Sequence, residues 1–142
     1  MTIQIRNVSS GDADAVAKLL VQLGYPSTPA DVTARLERMA SEGGHQVLVA
    51  EIDGAVVGVV TVFVRHLLSL DAPLGRIAAM VVDDARRSQG IGQRLVEAAE
   101  AIARGAGCDR IEVTSAERRT RAHEFYRRLG YEDRPVRFIK RL

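Results

Sequence analysis

Apolar residues change their spacing several times along the chain, and each change predicts an element. Ile3 and Ile5, with Val8 beyond them, alternate with polar neighbours as a half-buried strand requires. Val16, Leu19, Leu20 and Leu23 then repeat at helical spacing. Ser9 or Ser10 caps that helix, Asp12 and Asp14 sit in its first turn, and Gly24 ends it. Thr28-Pro29-Ala30-Asp31 opens a second helix, with a capping threonine, proline at the first helical position and an acid three residues on. Val32, Leu36 and Met39 carry it to Gly43-Gly44. Two β-branched runs, Gln46 to Ile52 and Ala55 to Val64, meet at Asp53-Gly54, the turn chemistry of a tight antiparallel hairpin.

Further on, Arg65 to Leu74 reads as a loop containing Asp71 and Pro73, and Arg76 to Val82 as a buried strand. Ile91, Leu95, Val96 and Ala99 mark one face of a helix that runs to about Arg104, where Gly105 and Gly107 stop it. Ile111 and Val113, with Ser115 open as a third member, lie on the next strand. Ala122 to Leu129 forms a short helix ended by Gly130, and Val136 to Ile139 gives a last strand. The order β-α-α-β-β-β-α-β-α-β is that of an α+β fold.

Composition narrows the setting. A chain of 142 residues makes one domain over 1–142, and 46% hydrophobic with 27% charged residues is ordinary for a globular protein. No apolar run approaches the roughly 18 residues of a membrane span, and Met1 to Arg6 lacks signal-peptide character. A single cysteine, Cys108, forms no internal disulfide, so a cytoplasmic location is expected. Net charge is only +2, but arginines crowd the last quarter of the chain. Such a basic rim suits an anionic ligand. Nucleic acid is not expected, because few aromatic residues stand beside those arginines for stacking, and no membrane partner is expected either.

Candidate chemistry centres on Arg87-Ser88-Gln89-Gly90-Ile91-Gly92, which follows the apolar run Met80-Val81-Val82 and opens the helix at Ile91. A strand that feeds a helix through glycines leaves unpartnered N–H groups at the positive end of the helix dipole. A phosphate or pyrophosphate suits that position. Gly90 and Gly92 remove Cβ atoms that would hold an anion away from the amides of Gln89 through Gln93, and Arg87 adds a charge able to bind it. A P-loop is excluded because Gln93-Arg94 follows Gly92 where Lys-Ser/Thr is required. A dinucleotide fingerprint lacks its third glycine.

The pattern resembles the Arg/Gln-x-x-Gly-x-Gly/Ala signature of the GNAT family of N-acetyltransferases. A second block, Ala122-His123-Glu124-Phe125-Tyr126-Arg127-Arg128-Leu129-Gly130-Tyr131, resembles that family's Ala-x-x-Phe-Tyr-x-x-x-Gly-Phe/Tyr segment. The resemblance implies a central mixed, mostly antiparallel sheet flanked by helices, and acetyl-coenzyme A as cosubstrate. It places the coenzyme against Val81, Val82, Arg87, Ser88, Gln89, Gly90, Ile91, Gly92, Gln93, Ser115 and Tyr126, and makes Tyr126 the acid that meets the departing sulfur. Phe125 and Leu129, four apart, are expected to bury together and to leave Tyr126 on another face. The acetyl group passes directly to the primary amine of a small molecule in this reading. A protein or peptide amino group, or a catalytically weak coenzyme-binding module, are the alternatives, and a homodimer stays open.

Two departures stand out. The strand before the glycine turn reads Ile77-Ala78-Ala79-Met80, without the glutamate that many small-molecule members carry there. His66, Asp71, Asp83, Glu112 or a water chain remain as routes for the amine proton. Thr114-Ser115-Ala116-Glu117 replaces an asparagine that often contacts the coenzyme, which makes Ser115 its substitute. Cys108 reads as a structural thiol at the start of a strand. Within the family the chain resembles the aminoalkylphosphonate N-acetyltransferases in length and in its Arg137-Phe138 tail, although their histidine-rich segment is absent. Arg137 and Arg65 are the candidates for any anionic group on the acceptor.

Overall fold

Asp53 and Gly54 both take positive φ, 51° and 81°, so the chain reverses in two residues and pairs Ile52 with Ala55. The strands so joined are β2 (His45–Ile52) and β3 (Ala55–Arg65). With β1 (Gln4–Asn7), β4 (Leu74–Val82) and β5 (Ile111–Val113) they form one sheet in chain order. Strands β1 to β4 are antiparallel and β5 runs parallel to β4. The computed structural model describes residues 2–114, 120–134 and 137–142.

Alternation along the strands sends side chains to two faces, and each face is covered by helices. Val47, Val49, Val59 and Val81 pack with Val16, Leu19 and Val32 of α1 (Ala13–Leu23) and α2 (Pro29–Glu42). On the other face Leu48, Ala50, Val60, Val62 and Ile77 meet Ile91, Leu95, Val96 and Ala99 of α3 (Ile91–Gly105). Those four α3 residues are at most 1% exposed, each burying side-chain area worth about 1.5–3 kcal/mol for the larger ones. The last helix, α4 (Thr120–Arg128), adds Ala122, Phe125 and Tyr126 to the same cluster.

The start of α2 and the end of α1 follow the predicted chemistry, whereas the start of α1 differs: Asp12 stands at its N-cap, and Ser9 caps a 3₁₀ turn over Ser10–Asp12 that precedes it. The Thr28 hydroxyl accepts from the Asp31 N–H at 3.1 Å and the Asp31 carboxylate accepts from the Thr28 N–H at 2.9 Å. Gly24 ends α1 in the left-handed conformation. The expected strand over Val136–Ile139 is not found at Arg137–Ile139, and Val136 falls outside the described residues. Phe138 is 91% exposed, so this segment buries no apolar face that would fix it as a strand.

One polar knot ties β1 to the start of α1. Arg6 donates to both carboxylate oxygens of the buried Asp12 at 2.9 and 3.0 Å and to Glu51 at 3.2 Å. The hydrogen-bonded Arg6 guanidinium outweighs burial and pulls the Asp12 carboxyl from 3.8 to about 2. A lowered native pKa gives stability that is present above 3.8 and lost as pH falls through about 2. Asp12→Asn should therefore cost about 2 kcal/mol at pH 7. Urea unfolding of both proteins at neutral and strongly acidic pH checks this, because the gap should close in acid; a gap independent of pH would assign the loss to packing.

Candidate active site

Strand β4 separates from both neighbours at one place. Thr61 pairs with Ala79 and Val62 with Ile77, so Ala78 is an extra residue that bends the strand. On the opposite edge β5 meets β4 only at Gly75, Arg76 and Ile77. Among the described residues no strand pairs with that edge over residues 78–82. Alternate N–H groups of this stretch, which includes Val81 and Val82, are left facing an open edge. The Val81 side chain is buried toward α1, whereas Val82 and Met80 lean on the α3 side.

Beyond β4 the chain turns through Asp83, whose carboxylate accepts from the Ala85 N–H at 3.1 Å, into one 3₁₀ turn at Asp84–Arg86. Gln22 of α1 braces it, donating to Asp83 at 3.3 Å and accepting from the Asp84 N–H at 2.9 Å. Ser88 sits at φ 66°, a left-handed conformation rare for serine, and Gly90 at φ 80°, ψ 6°. Helix α3 then starts without a side-chain cap and with no acid in its first turn, unlike α2. The N–H groups of Ile91, Gly92 and Gln93 have no intrahelical acceptor, which is the state an anion requires.

The two glycines serve different ends. A Cβ on Gly90 would meet nothing within 4 Å, so glycine is needed there for its φ and the space above it stays open. A Cβ on Gly92 would lie 3.2 Å from Cζ of Phe125. The expectation that Gly92 clears room for an anion is thus corrected to a packing role, letting α4 approach α3. Arg87 is not a free charge either. It is ion-paired with Asp84 at 2.6 Å and half-exposed, so a phosphate would exchange partners with it. The Gln93 side chain donates to Glu97, Ile91 is buried, and Ser88 and Gln89 are exposed.

Tyr126 is the most buried described residue of its helix, 8% exposed, rather than standing on a separate face from a buried Phe125–Leu129 pair. Three apolar positions at 125, 126 and 129 make one broad face, and Tyr126 takes its centre. Its ring is edge-on to Phe125 and Tyr131, with centroids 5.1 and 5.6 Å away. Tyr131 in turn donates to Glu100 of α3 at 2.8 Å, which fixes the end of α4. Burial pushes the Tyr126 phenol up to about 12. Among the described residues no buried side-chain oxygen or nitrogen lacks a partner. Ser115 lies outside the described residues.

None of the expected bases is set apart by its surroundings. Asp83 is engaged as a cap, Glu112 pairs with Arg76 at 3.3 Å, and His66 and Asp71 are exposed. Cys108 precedes β5 by three residues instead of starting it, and burial pushes its thiol up, which suits an inert packing role against Gly75. A cavity of about 190 Å³ beside Glu100, Arg104, Cys108 and Arg110 lies away from the glycine turn. Arg137 is exposed in segment 137–142. Sequence reasoning missed Gln22, Asp84 and the Ala78 bulge, since no local pattern marks a contact 61 residues away or a one-residue register shift.

Comparison with known proteins identifies relatives of the whole chain. A profile of the Acetyltransferase (GNAT) family matches residues 14–131. An aminoalkylphosphonate N-acetyltransferase of Salmonella typhimurium is 30% identical over 142 residues, covering 98% of this chain and 91% of the relative. An aminoglycoside N(6')-acetyltransferase type 1 of Stenotrophomonas maltophilia is 28% identical, covering 91% and 86%. Among solved structures, an aminoglycoside N-acetyltransferase AAC(6')-Iy in complex with CoA superposes with a TM-score of 0.84 at 19% identity, over 99% of this chain and 96% of that one.

Proposed function

We propose, for a chain that belongs to the acetyltransferase (GNAT) family, that it moves an acetyl group from acetyl-coenzyme A directly to the primary amine of a small molecule. Family membership makes it an acetyl-coenzyme A-dependent N-acetyltransferase, and both relatives above are named for small-molecule amines. The observation that carries the assignment to these residues is the uncapped start of α3, opened by Gly90 at φ 80° on the turn that follows β4, whose edge over residues 78–82 pairs with no described strand. Residues Gln89 through Gln93 hold the pyrophosphate on their amides, and Arg87 leaves Asp84 to join them. When bound, acetyl-coenzyme A supplies the thioester carbon that the amine attacks.

The chain's own groups supply three things. An N–H on the free edge of β4, at Val81 or Val82, donates to the oxygen on which negative charge develops. The Tyr126 hydroxyl donates to the sulfur. With its pKa near 12 against about 8.5 for a thiol, complete transfer of that proton would be uphill by about 5 kcal/mol. Tyr126 thus stabilises the departing thiolate by a hydrogen bond, and solvent protonates it afterwards. A primary amine with pKa about 10 gives up its proton to water reached along the β4 edge, whose residues 77–82 include no carboxylate.

A thermal melt with coenzyme A followed by thiol release over an amine panel tests the reading. Ligand at about 100 times its dissociation constant should stabilise the fold by about 2.7 kcal/mol. No shift, or no thiol release with any primary amine, would overturn it.

A further inference from the structure

Helix α1 is fixed to the sheet by its apolar face, where Val16, Ala17 and Leu19 are buried with Val47, Val49, Val59 and Val81. Gln22, one residue before the helix ends, is exposed. Its amide reaches the turn between β4 and α3, 61 and 62 residues away along the chain. Two opposite demands meet there. The ionised Asp83 carboxylate can only accept, and takes a hydrogen bond from Gln22 Nε2 at 3.3 Å. The Asp84 N–H can only donate, and gives one to Gln22 Oε1 at 2.9 Å. A primary amide answers both at once, which neither a carboxylate nor an ammonium can do.

We propose that Gln22 is a positioning residue for coenzyme binding: acting through Asp83 and Asp84, it holds the β4–α3 turn in the arrangement that presents Arg87 and the α3 amides to the pyrophosphate. This rests on the acetyltransferase reading above. None of Asp84, Ala85 and Arg86 is buried, so no apolar anchor selects one arrangement of the turn and its polar contacts decide it. Asp83 is pinned by its N–H on the Val57 carbonyl at 2.8 Å and by its carboxylate on the Ala85 N–H at 3.1 Å. Asp84 is tied back through its N–H to Gln22, and its carboxylate carries Arg87 at 2.6 Å. Position thus passes from a helix rooted in the core, through two adjacent acids, to the cation that stands before Ser88 and Gly90 at their positive φ. A turn that samples several arrangements binds more weakly in proportion to the fraction that is competent, and losing one or two hydrogen bonds is enough to cut that fraction about tenfold. The chemistry at the sulfur is untouched, because Tyr126 is set by Phe125 and Tyr131.

The test uses the full chain with coenzyme A and acetyl-coenzyme A. Gln22→Ala should raise Kd for coenzyme A and KM for acetyl-coenzyme A about tenfold, with kcat at saturation and the ligand-free melting temperature little changed. Gln22→Glu keeps an acceptor for the Asp84 N–H but sets a carboxylate against Asp83, so it should bind coenzyme A at least as weakly. Adding Asp83→Asn exchanges amide and carboxylate across the contact: the new amide donates to position 22 while its oxygen keeps the Ala85 N–H. That double variant should return Kd to within about threefold of wild type. Unchanged affinity in Gln22→Ala, or a double variant no tighter than Gln22→Glu, would overturn the role while leaving the acetyltransferase reading intact. A ligand-free melt lowered in step with affinity would assign Gln22 to folding and overturn it as well. If wild type shows no coenzyme shift, the acetyltransferase reading fails instead. Amide exchange in the free chain then decides the brace alone: Gln22→Ala should speed exchange at Ala85 and Arg86, whose N–H groups bond to Asp83 and not to Gln22, and unchanged exchange would overturn it.

Discussion

Gly90→Val should abolish the rise in melting temperature that coenzyme A gives the wild-type chain, while the chain stays folded. Gly90 holds φ at 80°, where a β-branched residue pays at least about 1–2 kcal/mol. A Cβ there meets no atom within 4 Å, so the conformation and not a clash at that atom decides the outcome. The turn re-forms with negative φ, and the amides of Ile91 to Gln93 no longer converge. Nothing buried moves, because Gly90 is exposed and the core face of α3 begins at Ile91. The expected loss is the whole of the roughly 2.7 kcal/mol of ligand stabilisation. Arg87→Ala should cost less, about tenfold in affinity, since Asp84 already satisfies that guanidinium in the free protein. Melts with and without coenzyme A measure both, and a full shift in Gly90→Val would remove the anion seat from this turn.

Tyr126→Phe should lower kcat about 100-fold and leave the coenzyme-dependent shift unchanged. The phenylalanine ring keeps the edge-on contacts with Phe125 and Tyr131, so helix α4 holds its place and only the donor is lost. Burial pushes the phenol up to about 12, so Tyr126 retains its proton throughout the usual assay range. The pH profile therefore belongs to the amine: kcat/KM should climb about tenfold per pH unit between 7 and 9 as neutral amine accumulates. That slope should be the same in Tyr126→Phe, with the whole curve displaced downward. Equal turnover in the two proteins would take the sulfur-facing role away from Tyr126.

Much of the scaffold was legible because its signals are local. Asp53-Gly54 names a turn that needs two positive φ values, Thr28 and Asp31 satisfy each other across three residues, and Ile91, Leu95, Val96 and Ala99 state their common face by spacing alone. Family resemblance then marked the glycine turn and Tyr126 as the candidates. Features made by distant parts of the chain were not legible. The bulge at Ala78 is a mismatch of register between β3 and β4 and leaves no mark in Ile77-Ala78-Ala79-Met80. A last strand was expected over Val136–Ile139, yet none forms at Arg137–Ile139, because propensity without a covering layer does not make a strand.

The approach of Phe125 to Gly92 joins two tasks that chemistry treats as separate. Helix α4 presents Tyr126 one residue beyond the ring that rests on α3's opening turn, so in the proposed reaction the donor and the phosphate amides would be geared through a single hinge of contact. Any bulk added at that pinion would drive the two apart in one motion, blunting grip on the nucleotide and aim at the sulfur in the same stroke.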